Sequence, residues 1–124
     1  MKEVIAREVA LQMIKDWADE LEATVEPSDR LIRAIMSGRL DKTDAGFSYR
    51  LLVPVSLDNG QSVDSLTVTE PTADQLQSAS KGNRDAMHIV IHTLSSITGH
   101  PVAVINRLKT RDLTLVSEVL DFFG

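Results

Sequence analysis

The hydrophobic pattern of this chain changes period and then changes back, and that constrains the fold more than any motif does. Before residue 38, apolar residues recur at helical spacing. From Phe47 to Val55 they alternate instead. Phe47, Tyr49, Leu51, Val53 and Val55 fall on one side, with Ser48, Arg50, Leu52 and Pro54 on the other. A period of two is that of a half-buried strand. Pro54 has no amide hydrogen and is expected at an edge or a strand end. Asp58-Asn59-Gly60 is a turn signal, because Asn and Gly tolerate positive φ. Residues 62–69 alternate again, with Leu66 and Val68 sharing a face. Together these runs predict a β-hairpin. A lone hairpin is marginal in water, so this one must pack on helices or pair with another chain.

Glu70-Pro71 then stops the ladder, and the helical period returns. Thr72 is placed as an N-cap, and Thr72-Ala73-Asp74-Gln75 matches the capping-box pattern. Leu76 and Ala79 are the expected inward residues of this short helix. Asn83 is expected to cap the next helix, residues 84–98, with Met87, Val90, Ile91, Leu94 and Ile97 buried. Gly99 supplies a left-handed stop and Pro101 suits a first helical position. A short helix follows with Val102, Ile105 and Leu108. Thr110 is placed as the cap of a last helix with Leu113, Val116, Leu120 and Phe123 in one stripe, widened by Val119 and Phe122.

Upstream of the hairpin, residues 3–24 read as an amphipathic helix. Ile5, Ala6, Val9, Ala10, Met13, Ile14, Trp17 and Leu21 form its apolar side. Pro27 ends it, Ser28 caps a second helix bearing Leu31, Ile32, Ile35 and Met36, and Gly38 stops that one. Residues 38–46 are polar and turn-like and read as a connection. The expected fold class is α+β, mainly helical, with one antiparallel β-hairpin packed on short helices. At 124 residues a single domain is expected over 1–124. Residues 1–45 form its helical extension and 46–124 its core of hairpin plus helices.

The chain has no cysteine, which excludes disulfide scaffolds, thiolate metal sites and cysteine nucleophiles. No apolar run approaches the ~18 residues of a membrane span, and the N-terminus has no signal-peptide core. A soluble, intracellular protein is expected. The net charge of −5 gives no general affinity for nucleic acid.

Little in the sequence points to catalysis. His88 and His92 lie four apart, as metal-binding pairs do. A zincin helix needs Glu beside the first histidine, and Ile89-Val90-Ile91 stands between these two. A partly exposed, metal-free pair is the reading adopted. No serine lies in a nucleophile elbow and no glycine loop cradles phosphate. No catalytic residue, cofactor or metal is therefore expected. Trp17 suits either the core or an interface anchor, and Met13 and Met36 share that ambiguity. These three are the candidate partner-binding residues. Residues 84–123 also admit a helix-turn-helix reading, a small DNA-binding regulator with Asn106 and Arg107 on its second helix.

The order of these pieces resembles the tail assembly chaperones of long-tailed phages and prophages. The matching residues are Leu66-Thr67-Val68-Thr69-Glu70-Pro71-Thr72 with Leu76, then Leu94-Ser95-Ser96-Ile97-Thr98-Gly99-His100-Pro101. Val104-Ile105-Asn106-Arg107-Leu108 and Asp112-Leu113 through Val119 and Phe122 complete them. The resemblance covers residues 47–123 and not residues 1–45. It implies a non-enzymatic protein of the host-cell cytoplasm that binds the tape measure protein, and in addition the tail tube protein, during virion assembly. It implies no catalytic residue. The free edge of the hairpin also leaves room for pairing with a second copy, a homo-oligomer.

Overall fold

The structure, a computed structural model, describes residues 5–82 and 85–123. Helices α1 (Arg7–Glu20) and α2 (Asp29–Met36) precede a three-stranded antiparallel sheet. Its strands are β1 (Leu40–Lys42), β2 (Phe47–Ser56) and β3 (Ser62–Val68), in the order β1-β2-β3. Four helices follow: α3 (Ala73–Ala79), α4 (Ala86–Thr98), α5 (Val102–Ile105) and α6 (Thr110–Leu120). A 3-10 turn, Asp121–Phe123, closes the described chain. The fold is α+β, as expected.

Local chemistry explains most boundaries. The Ser28 hydroxyl accepts from the Leu31 amide at 3.1 Å and starts α2. At α3 both halves of the capping box form: Gln75 N–H donates to the Thr72 hydroxyl at 3.2 Å, and Thr72 N–H to the Gln75 side chain at 2.9 Å. Gly99 ends α4 with φ 79°. The hairpin turn closes with Leu57 N–H on the Gln61 carbonyl at 2.8 Å.

Other expectations need correction. Helix α1 stops at Glu20, because Glu22 takes a positive φ of 55°. Asp85 caps α4 by accepting from the His88 amide at 2.9 Å; Asn83, the expected cap, lies outside the described residues. Thr110 is the first residue of α6 and makes no cap bond. Pro101 occupies the N-cap position of α5. Residues 38–46 are more than a connection. Leu40, Asp41 and Lys42 pair with Tyr49, Ser48 and Phe47, which adds a third strand to the hairpin. Gly46 makes that turn possible: a Cβ there would run into the backbone carbonyl of Val68.

Strand β2 is therefore central, yet it holds Pro54. The pairing explains this. Phe47 to Arg50 pair with Val68 to Ser65 in one register, and Val55 and Ser56 pair with Val63 and Ser62 in another. Residues 51–54 bulge out between the two registers. Pro54 falls in the bulge, where no ladder bond is asked of it.

The core joins the two ends of the chain. Trp17 of α1 packs edge-on against Phe47 at 5.5 Å and Phe122 at 6.1 Å. Phe47 and Phe122 lie 4.9 Å apart. Each such pair is worth ~0.5–1.5 kcal/mol beyond its buried area. Ile14, Leu31, Ile32 and Ile35 from the first two helices join the same cluster as Leu66, Leu94, Leu115 and Val116. The buried stripe of α6 is rotated from the expected one. Asp112, Leu115, Val116 and Val119 are buried, whereas Leu113, Leu120 and Phe123 are half-buried. Val9, Leu76 and Met87, read as inward, are 51, 46 and 53% exposed.

Candidate partner-binding surfaces and a buried carboxylate

Asp112 is the one charged side chain among the described residues that is fully buried. It sits in the first turn of α6, where a negative charge meets the positive end of the helix dipole. Its Oδ1 accepts from the Tyr49 hydroxyl at 2.7 Å and the Leu52 amide at 2.9 Å. Its Oδ2 accepts from the Val53 amide at 3.1 Å. Those two amides belong to the bulge and have no ladder partner, so the carboxylate supplies what the sheet does not. Asp112 thus pins the last helix to the central strand. Its arrangement is structural: every bond it makes is to a donor of the fold.

Burial first, and then the bond to Asp112, push the ionisation of Tyr49 above the usual tyrosine range; the nearby Arg39 guanidinium opposes part of that rise. The folded state therefore prefers the neutral phenol. Its contribution to stability is complete below the unfolded tyrosine pKa, ~10, and is lost as pH rises beyond that value. Tyr49 is the sole tyrosine. An ultraviolet titration of the folded protein should show no tyrosinate at pH ~10–11, with the signal arriving together with alkaline unfolding. A reversible midpoint near 10 in folded protein would contradict this account.

Two openings flank this framework. The first is a mainly apolar groove of about 350 Å³ lined by Pro71, Leu76, Ile89, Val90, Leu120 and Phe123, with Glu70 and Thr93 as its polar members. It is built by the strand-to-helix corner, α4 and the end of α6. The corner determines its shape: β3 ends at Val68, Pro71 follows in the connection, and the capping box starts α3 so that Leu76 stands at the rim. The second is an open cavity of about 510 Å³ between α2, β2 and α6, whose lining includes Arg30, Arg33, Arg39 and Arg111 together with Asp29.

Residues 48–124 match the model of a family described as phage tail assembly chaperone proteins, E, or 41 or 14. The chain belongs to this family of tail assembly chaperones. No curated protein and no solved structure matches it. The family segment begins within β2, so α1, α2 and β1 lie outside it. The Pro71 groove of the chaperone lies wholly within the family segment, whereas Arg30, Arg33 and Arg39 of the second cavity precede it.

The residues singled out from sequence fall in different places. Val9, Met13 and Trp17 form one row along α1 at four-residue spacing, and exposure falls along it. Val9 is half-exposed, Met13 half-buried and Trp17 8% exposed. Met36 is half-buried and, like Met13, packs against the core. His88 is exposed, with Nδ1 at 3.0 Å from Asp85, while His92 is half-buried. Among the described residues no group of three metal-ligating side chains converges, and no helix is long and apolar enough to cross a membrane. For DNA reading, α5 spans only Val102–Ile105. Arg107 beyond it is held by the Ser56 carbonyl at 3.0 Å and faces Asp58 at 3.6 Å. That helix is too short to lie along a major groove.

Proposed function

We propose that this chaperone binds the tape measure protein during tail assembly, without catalysing a reaction, and does so in the cytoplasm of the host cell. The observation that carries the reading is the apolar groove at the Pro71 corner, found on a member of a tail-assembly family. A long, helical, aggregation-prone partner presents apolar stripes. A groove of this size seats a few side chains of such a stripe, in the manner of helix-in-groove recognition. Leu76 at its rim is 46% exposed, open to such a partner. A small groove suits a chaperone that has to release its partner when tail tube protein arrives, because affinity then stays moderate. We assign Met13 and Met36 a secondary contact, with Val9 beside Met13 on α1 and Trp17 supporting the row from beneath. The tail tube protein is the second partner in this reading.

Co-expression tests it. The tape measure protein should be insoluble alone and should co-purify with the chaperone. Leu76→Asp and Val90→Asp should each weaken that capture about tenfold or more, since each places a charge where apolar contact is required. The Leu76 variant is the cleaner of the two, because that side chain is already exposed. Tape measure protein that stays soluble alone, or capture indifferent to both substitutions, would sink the reading.

A further inference from the structure

The cavity between α2, β2 and α6 collects positive charge in a chain whose net charge is −5. Arg30 and Arg33 come from α2, Arg39 from the approach to β1, and Arg111 from the first turn of α6. The nearby acids are largely committed elsewhere. Glu118 takes the Arg30 guanidinium at 3.4 Å and also accepts from Ser28. Asp29 is held by Arg7 at 3.2 Å. Both oxygens of Asp112 are engaged by the sheet. Arg33, Arg39 and Arg111 make no ion pair among the described residues. Arg39 carries a second sign of an unmet demand: its Nε is buried with no hydrogen-bond partner. A buried donor left without an acceptor is unfavourable.

Guanidinium forks recognise planar or tetrahedral oxyanions, carboxylate and phosphate alike. The rest of the lining decides between them. Leu52 is 40% exposed at this cavity, and Leu115 lies behind it. A bare phosphate makes no use of that apolar wall, whereas a carboxylate next to a leucine-class side chain uses both. We propose that this cavity receives an acidic segment of a protein partner, an Asp or Glu side chain with an apolar neighbour. The cavity shares no lining residue with the Pro71 groove, and the proposal stands whether or not that groove holds the tape measure protein.

An array of short peptides that combines Asp or Glu with Leu at each spacing, every member beside its Asn or Gln isostere, tests this on the full chain. Acidic members should bind at low salt and their isosteres should not. Arg33→Gln with Arg111→Gln should weaken binding at least tenfold while leaving the melting temperature unchanged, since both side chains are exposed. The charge-reversed pair, Arg33→Glu with Arg111→Glu, should take up Lys-containing counterparts instead. The proposal is overturned if no acidic peptide binds, if isosteres bind equally, or if the arginine variants bind as before. Inorganic phosphate that binds more tightly than every peptide would also overturn it, in favour of a free-anion site.

Discussion

Deleting residues 1–38 is expected to leave the remainder without a cooperative fold, although the family segment stays intact. Ile14, Trp17, Leu31, Ile32 and Ile35 are all buried in the one cluster that also holds Phe47 and Phe122. At ~1.5–3 kcal/mol for each large side chain, the loss is on the order of 10 kcal/mol, even as an upper estimate. Whole domains of this size are stable by only ~5–15 kcal/mol. The truncated chain should lose its sharp thermal transition, bind a hydrophobic dye and run as an expanded or aggregated species. A truncated protein that melts cooperatively near the full-length temperature would mean that α1 and α2 are an appended extension, as the 45/46 division drawn from sequence implies. We favour a single folding unit over 1–124.

Asp112→Ala is the second large effect. The substitution strands the Leu52 and Val53 amides and the Tyr49 hydroxyl in a site without water access to Asp112 itself. Unsatisfied buried donors cost ~1–3 kcal/mol each, so a total of ~3–5 kcal/mol is expected after partial relaxation. That is a fall in melting temperature on the order of 10–20 °C for a domain of this length. Asp112→Asn keeps one carbonyl acceptor and should cost clearly less. Tyr49→Phe removes one donor along with its need and should cost ~1 kcal/mol. In a double-mutant cycle the Asp112 and Tyr49 substitutions should be non-additive, because they share a bond. A melting temperature for Asp112→Ala within a few degrees of the parent would show that the bulge amides find other partners.

Legibility in the sequence followed the range of the interaction. The capping box at Thr72 and Gln75, the Ser28 cap, the Gly99 stop and the Asn59-Gly60 turn all close within four residues, and all were readable. Strand β1 was not. Leu40-Asp41-Lys42 is too short to show a period, and only its pairing with β2 makes it a strand. Asp112 gives no sign of its burial in the sequence, since an acid in a first helical turn is normally solvated. No local signal announces that a bulge 60 residues upstream needs an acceptor. The arginine cavity was invisible for the same reason: Arg30, Arg33, Arg39 and Arg111 meet only once three elements have packed. Val9 and Met87 misled because helical spacing alone cannot tell which apolar residues a neighbouring element will cover.

The carboxylate that completes the sheet also sets an order of events during synthesis. Strands β1 to β3 leave the ribosome well before α6 does, yet the central strand has two amides that only Asp112 satisfies, and the aromatic cluster awaits Phe122. A nascent chain holding the first five helices and the whole sheet is therefore short of its closing contacts. Domains commonly fold from the N-terminus as they emerge, but this one has a latch made near the end. Closing it joins residues 59 to 63 positions apart, a slow kind of contact to form. The grooves that α6 helps to wall form only once that helix has docked on the sheet.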